Sequence, residues 1–170
     1  MNLWNADPDG IYLFNGFHGA PIDVYREIGD LDTMANEDKI FGVDRFEGDS
    51  SFSDGREVEL PQGEPVRTEF QVGEDIDSGA ASELLFRLHF WDAAPKDEIS
   101  VKLNHQSLDG LKPAGPEQES DGQWLECLLV DPTQVARGHN KVELTVEKRD
   151  ESMQTPLILD GVQLRVAGAE

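Results

Sequence analysis

At 170 residues the chain can bury one sizeable core, or one core with a small appendage. Its 35 acidic against 14 basic residues give a formal charge of −21, a field that repels nucleic acid and anionic lipid and excludes both as partners. A single cysteine, Cys127, excludes an intrachain disulfide, and with no leader pattern and no long apolar run the chain as given is expected to be soluble.

The opening residues have one texture and the remainder another. Asn5-Ala6-Asp7-Pro8-Asp9-Gly10 alternates oxygen-bearing side chains before a glycine, as the start of a calcium loop does. The twelfth position is Gly16 rather than glutamate, and Pro8 interrupts the loop, so a turn feeding a strand is the better reading. The short apolar run Gly10–Asn15 predicts a buried strand. Ala20–Gly29 predicts a helical turn stopped by Gly29, and Leu31–Ile40 a weakly amphipathic helix capped by Asp30 or Asp32. Gly48–Gly55 is acidic and glycine-rich and predicts a linker. Residues 1–54 are therefore expected to form a strand-helix extension and residues 55–170 a separate β-domain.

Beyond the linker, period-two alternation takes over. Strands are predicted near Glu57–Leu60, Pro65–Val72, Glu83–Asp92, Glu98–Asn104, Ser107–Leu111, Gln123–Val130, Asn140–Lys148 and Pro156–Val166. Val142, Leu144 and Val146 share one face, as do Ile99, Val101 and Leu103. Leu84, Phe86, Leu88 and Phe90 point inward from the longest strand, leaving Arg87, His89 and Trp91 on its other side. Asn104-His105 is a plausible tight turn, since Asn tolerates a left-handed backbone. Eight such strands separated by turns predict a mainly β fold, an antiparallel jelly-roll sandwich.

Leu103-Asn104, Leu108, Leu111, Trp124-Leu125-Glu126 and the run Val135–Leu144, with its Gly138-His139-Asn140, resemble the galactose-binding-like jelly rolls attached to many bacterial glycoside hydrolases. Asp9–Asn15, Tyr25–Leu31 and Asp38-Lys39 resemble the last strand and helix of a glycosidase-like TIM barrel. Together they look like the tail of a bacterial glycoside-hydrolase-like protein. The resemblance would put Asn15 at the substrate end of the final barrel strand, and one βα unit cannot close a barrel. It allows a structural calcium without placing it, with Glu74-Asp75-Ile76-Asp77 and Glu47, Asp49 and Asp54 as looser acidic clusters. No other cofactor is expected. A secreted or periplasmic parent would fit, while the chain itself leaves the compartment open.

Catalytic candidates are sparse. With 35 carboxylates, accidental pairs are certain, so no pair stands out as a glycosidase acid and nucleophile. His18, His89, His105 and His139 have no partner at metal-ligand spacing, and His105 and His139 are expected in exposed turns. Cys127 reads as a small core residue rather than a nucleophile. The sharpest binding candidates are Trp91, Arg87 and His89, with Trp124 as a neighbour. An indole stacks on the apolar face of a sugar while Arg and His donate to its hydroxyls. The competing reading packs this face against a barrel. Bracing of a catalytic barrel is therefore the expected role and carbohydrate recognition the alternative; a homodimer through the front strand stays open.

Overall fold

The computed structural model describes residues 34, 37–43, 58–76, 81–114, 123–129 and 131–168. Their ten strands are β1 (Lys39–Val43), β2 (Val58–Leu60), β3 (Val66–Val72), β4 (Ala81–Trp91), β5 (Glu98–Leu103), β6 (Gln106–Ser107), β7 (Lys112–Pro113), β8 (Gln123–Leu128), β9 (Gly138–Lys148) and β10 (Leu157–Gly168). They form a mainly β, antiparallel jelly-roll sandwich. One sheet runs β1-β10-β4-β8-β7, with β2 also paired to β10; the other runs β3-β9-β5-β6. Every strand pair is antiparallel.

Alternation explains the core. Phe86, Leu88 and Phe90 of β4 are fully buried, as are Leu103 of β5, Val142 and Leu144 of β9, and Leu157 and Leu164 of β10. Side chains of this size each contribute about 1.5–3 kcal/mol when removed from water. The rings of Phe70, from β3, and Phe86 lie 6.2 Å apart and join the two sheets across the core. Cys127 faces inward opposite Phe86, and burial, then the charge of Asp109, pushes its thiol above the ordinary range.

Two expectations need correction. The helix anticipated over Leu31–Ile40 does not reach its end: Met34 is helical, but Lys39 and Ile40 begin β1, which pairs with Val162–Val166 of β10. The open edge of β10 offers hydrogen bonds that a helix could not use, and pairing there buries Phe41. Gly42 permits this approach, because a Cβ there would lie 2.3 Å from the Val162 carbonyl oxygen. A strand from ahead of residue 54 thus shares a sheet with β10. The strand expected over Ser107–Leu111 is also divided. Gln106–Ser107 pairs with β5, whereas Lys112–Pro113 pairs with β8 in the other sheet, and Gly110, at φ 85°, lies in the crossing between them. The front strand Gly10–Asn15, the turn before it and the linker Gly48–Gly55 lie outside the described residues.

Polar clamps close both ends of the β5–β9 pair. The carboxamide of the fully buried Asn140 makes four hydrogen bonds. Its Oδ1 accepts from Ala136 N at 2.8 Å and Asn104 Nδ2 at 2.7 Å, while its Nδ2 donates to the carbonyls of Ala136 at 2.7 Å and Gly138 at 3.1 Å. Asn104 also donates to the Gln134 carbonyl at 2.9 Å and accepts from Lys141 N at 2.9 Å. At the other end the Asp97 carboxylate receives Arg149 Nη1, together with the amides of Ala94 and Asp150, each at 2.8 Å.

Asn140→Ala strands several of these buried groups and is expected to lower unfolding free energy by about 3 kcal/mol, with Asn140→Asp at least as harmful, in urea titrations. A mild effect from both would show that the clamp is dispensable.

Three carboxyls are held below their usual range. Glu143 is lowered by hydrogen bonds from Lys102 and then Arg67, Asp131 by the hydroxyl and amide of Thr133, and Asp150 by the amide and hydroxyl of Ser152. Folded values below unfolded ones mean that the stabilisation is present at neutral pH and is lost as pH falls below about 4, through the folded values. Urea midpoints should drop over that interval, and less so in Glu143→Gln.

Candidate functional site

The outer face of the six-stranded sheet carries an unusual polar cluster. Strand β4 turns Leu84, Phe86, Leu88 and Phe90 inward, so Arg87, His89 and Trp91 stand outside. Across β8, His89 faces Trp124 and Arg87 faces Glu126. Across β10, His89 faces Gly161, and the register shifts between Leu159 and Gly161. That shift is a bulge, and it re-aims Asp160 onto the His89 ring.

The resulting geometry is tight. His89 Nδ1 lies 2.9 Å from Asp160 Oδ2, and because a carboxylate can only accept, the ring donates. His89, Arg87 and Asp160 are only 4%, 5% and 7% exposed. The His89 ring sits 4.7 Å from that of Trp124, tilted by 34°, and 5.2 Å from Trp91, which meets it edge-on at 74°. The Arg87 guanidinium lies 4.5 Å from the Trp124 ring centroid, a cation–π distance, with Nε 3.6 Å from Glu126 Oε2. Asp160 Oδ1 and Trp91 Nε1 are buried without a hydrogen-bond partner among the described residues.

The structure therefore brings together all four residues that the sequence proposed, Trp91, Arg87, His89 and Trp124. It divides them, however, into two half-buried indoles and two buried, engaged polar groups. Sequence reasoning missed Asp160 and Glu126. Asp160 had left a signal: inward residues run Leu157, Leu159, then Val162, Leu164, Val166, and the step of three marks an extra residue beside Gly161. Of the other histidines, His105 occupies the β5–β6 turn as expected, whereas His139 belongs to β9 and pairs with Gln71.

No nucleophile stands beside the His89–Asp160 pair among these contacts, and no cluster of three or more His, Cys, Asp or Glu among the described residues could hold a metal ion. Glu74, from one of the looser acidic clusters, pairs instead with Lys39 at 2.8 Å. The Asn5–Gly10 segment, His18 and the cluster of Glu47, Asp49 and Asp54 lie outside the described residues.

Asp160→Ala would leave the buried His89 donor unsatisfied and is expected to remove about 2 kcal/mol of stability, with Asp160→Asn, which keeps an acceptor, losing less. Equal losses in the two variants, measured by urea unfolding, would place the effect in packing rather than in the hydrogen bond.

No protein-family model matches the chain, and no curated protein does either. Among solved structures it is similar to a beta-porphyranase of glycoside hydrolase family 86 from the human gut bacterium Bacteroides plebeius. The match has a TM-score of 0.48 and 14% sequence identity, and covers 76% of this chain and 20% of that one. The chain thus spans about a fifth of that enzyme's length.

Proposed function

We propose that the chain is a non-catalytic accessory β-sandwich of a glycoside-hydrolase-like protein, and that it braces a neighbouring barrel through the outer face of its six-stranded sheet. The observation that carries this reading is the depth at which Arg87, His89 and Asp160 are buried on that face. A sugar-binding face keeps its donors turned to an open cleft. Here the imidazole donates to Asp160 and the guanidinium lies over Trp124.

A row across the same face adds support. Register places Ile40, Arg165, Leu85 and Leu128 side by side on β1, β10, β4 and β8. Ile40 is 61% exposed and Leu128 51%, so large apolar side chains face outward where a solvated sheet would carry polar ones. The resemblance of the Leu103–Leu144 stretch to hydrolase-attached jelly rolls supplies the identity of the neighbour.

Carbohydrate recognition is the second reading, favoured by one detail. Trp91 Nε1 is a buried donor and Asp160 Oδ1 a buried acceptor, and a sugar hydroxyl can satisfy one of each.

Affinity electrophoresis and tryptophan-fluorescence titration over a panel of neutral glycans separate the two. Bracing predicts no retardation and no sugar-dependent quenching, together with a lower melting temperature for a barrel-bearing parent protein once residues 58–168 are removed. Saturable quenching abolished by Trp91→Ala would replace bracing with binding. Hydrolysis of chromogenic glycosides that is lost on one carboxylate substitution would sink both.

A further inference from the structure

The outer face of the other sheet carries a second, unrelated arrangement. Arg67 on β3 and Lys102 on β5 both stand opposite Glu143 on β9. Glu143 receives Arg67 Nε and Nη2 at 2.8 Å on Oε2, and Lys102 Nζ at 2.8 Å on Oε1. One carboxylate thus fixes two cations in place. Lys141, two residues before Glu143, lies on the same face, and its ammonium makes no ion pair among the described residues. Together with His105 these side chains line an open cavity of about 350 Å³, large enough for a small ligand.

Two features set this cavity apart from an ordinary solvated sheet. In a chain with 35 acids and 14 bases, three of the bases converge here around one acid, so the cavity is locally cationic on a strongly anionic molecule. Glu69, opposite Lys141 in the β3–β9 register, lies 3.5 Å from His139 Nδ1. The second feature is backbone strain. The turn Asn104-His105 has φ of 49° and 72°, and the second position of such a two-residue hairpin is ordinarily glycine. Asn104 suits its place and is anchored to Gln134, Asn140 and Lys141. Histidine accepts a left-handed backbone more readily than most residues but less readily than glycine, and here it sets an imidazole at the cavity wall.

We propose that this cavity is an oxyanion-binding site that takes a sulfate-ester or carboxylate group carried on a small polar molecule such as a sugar. Lys141, the outward part of the Arg67 guanidinium and His105 would meet the anion, and Glu143 acts as the internal template that spaces Arg67 and Lys102. The site lies on the face opposite the one assigned to bracing, so its failure would leave that reading untouched.

The test is a set of NMR titrations of the 15N-labelled 170-residue chain at constant ionic strength. The probes are glucose 6-sulfate, glucuronate, inorganic sulfate, sodium chloride and neutral glucose. Saturable shifts at Lys102, His105 and Lys141 are expected with the two charged sugars and not with chloride or glucose. Lys141→Gln should weaken binding about tenfold, the value of one charge-assisted contact. His105→Gly should weaken binding while raising the melting temperature, because it releases the strained turn; a purely structural His105 would leave binding unmoved. Shifts that never saturate, that chloride or glucose reproduces, that inorganic sulfate alone elicits, or that persist unchanged in Lys141→Gln would overturn the proposal.

Discussion

The fold turns on β10 and the register shift at Asp160 within it. This strand pairs with β1, β2 and β4, so three separate stretches of chain depend on its register. Perfect alternation from Leu157 to Val166 would have set Leu157 and Leu159 on the opposite face from Val162, Leu164 and Val166. The bulge at Asp160 restores the phase, so Leu157 and Leu159 on one side of it and Val162, Leu164 and Val166 on the other all enter the core. The residue left over is an aspartate, and its carboxylate meets the one histidine that β4 turns to the same surface. A packing requirement and a polar site therefore share one cause.

The second sheet is secured differently. Its long central strand, β9, is held at one end by the saturated carboxamide of Asn140 and at the other by the Asp97–Arg149 pair. Buried polar groups of this kind are costly when partly satisfied and specific when fully satisfied. Asn140 belongs to the second class, since both lone-pair directions and both amide hydrogens are used. The same network immobilises the Asn104-His105 turn, which explains how a histidine can be held at a positive φ.

The sandwich thus presents two outer surfaces of different character. One combines exposed Ile40 and Leu128 with buried Arg87, His89 and Asp160. The other is cationic and concave around Arg67, Lys102 and Lys141. A bracing domain needs only the first. The proposed oxyanion site would use the second.

Much of this was legible in the residue order. Alternation alone placed Leu84, Phe86, Leu88 and Phe90 inside and Arg87, His89 and Trp91 outside, because side chains on a strand can only point to one face or the other. The Asn turn after β5 was readable too, since few residues accept that backbone. Strand pairing was not, because hydrogen bonds between strands distant in sequence leave no local trace. Only the tertiary structure could set Trp124 against His89, bring Asp160 to its ring, and draw Lys39 and Ile40 out of the predicted helix into a strand along the edge of β10. Local chemistry determined which face each side chain takes; long-range pairing decided which faces meet.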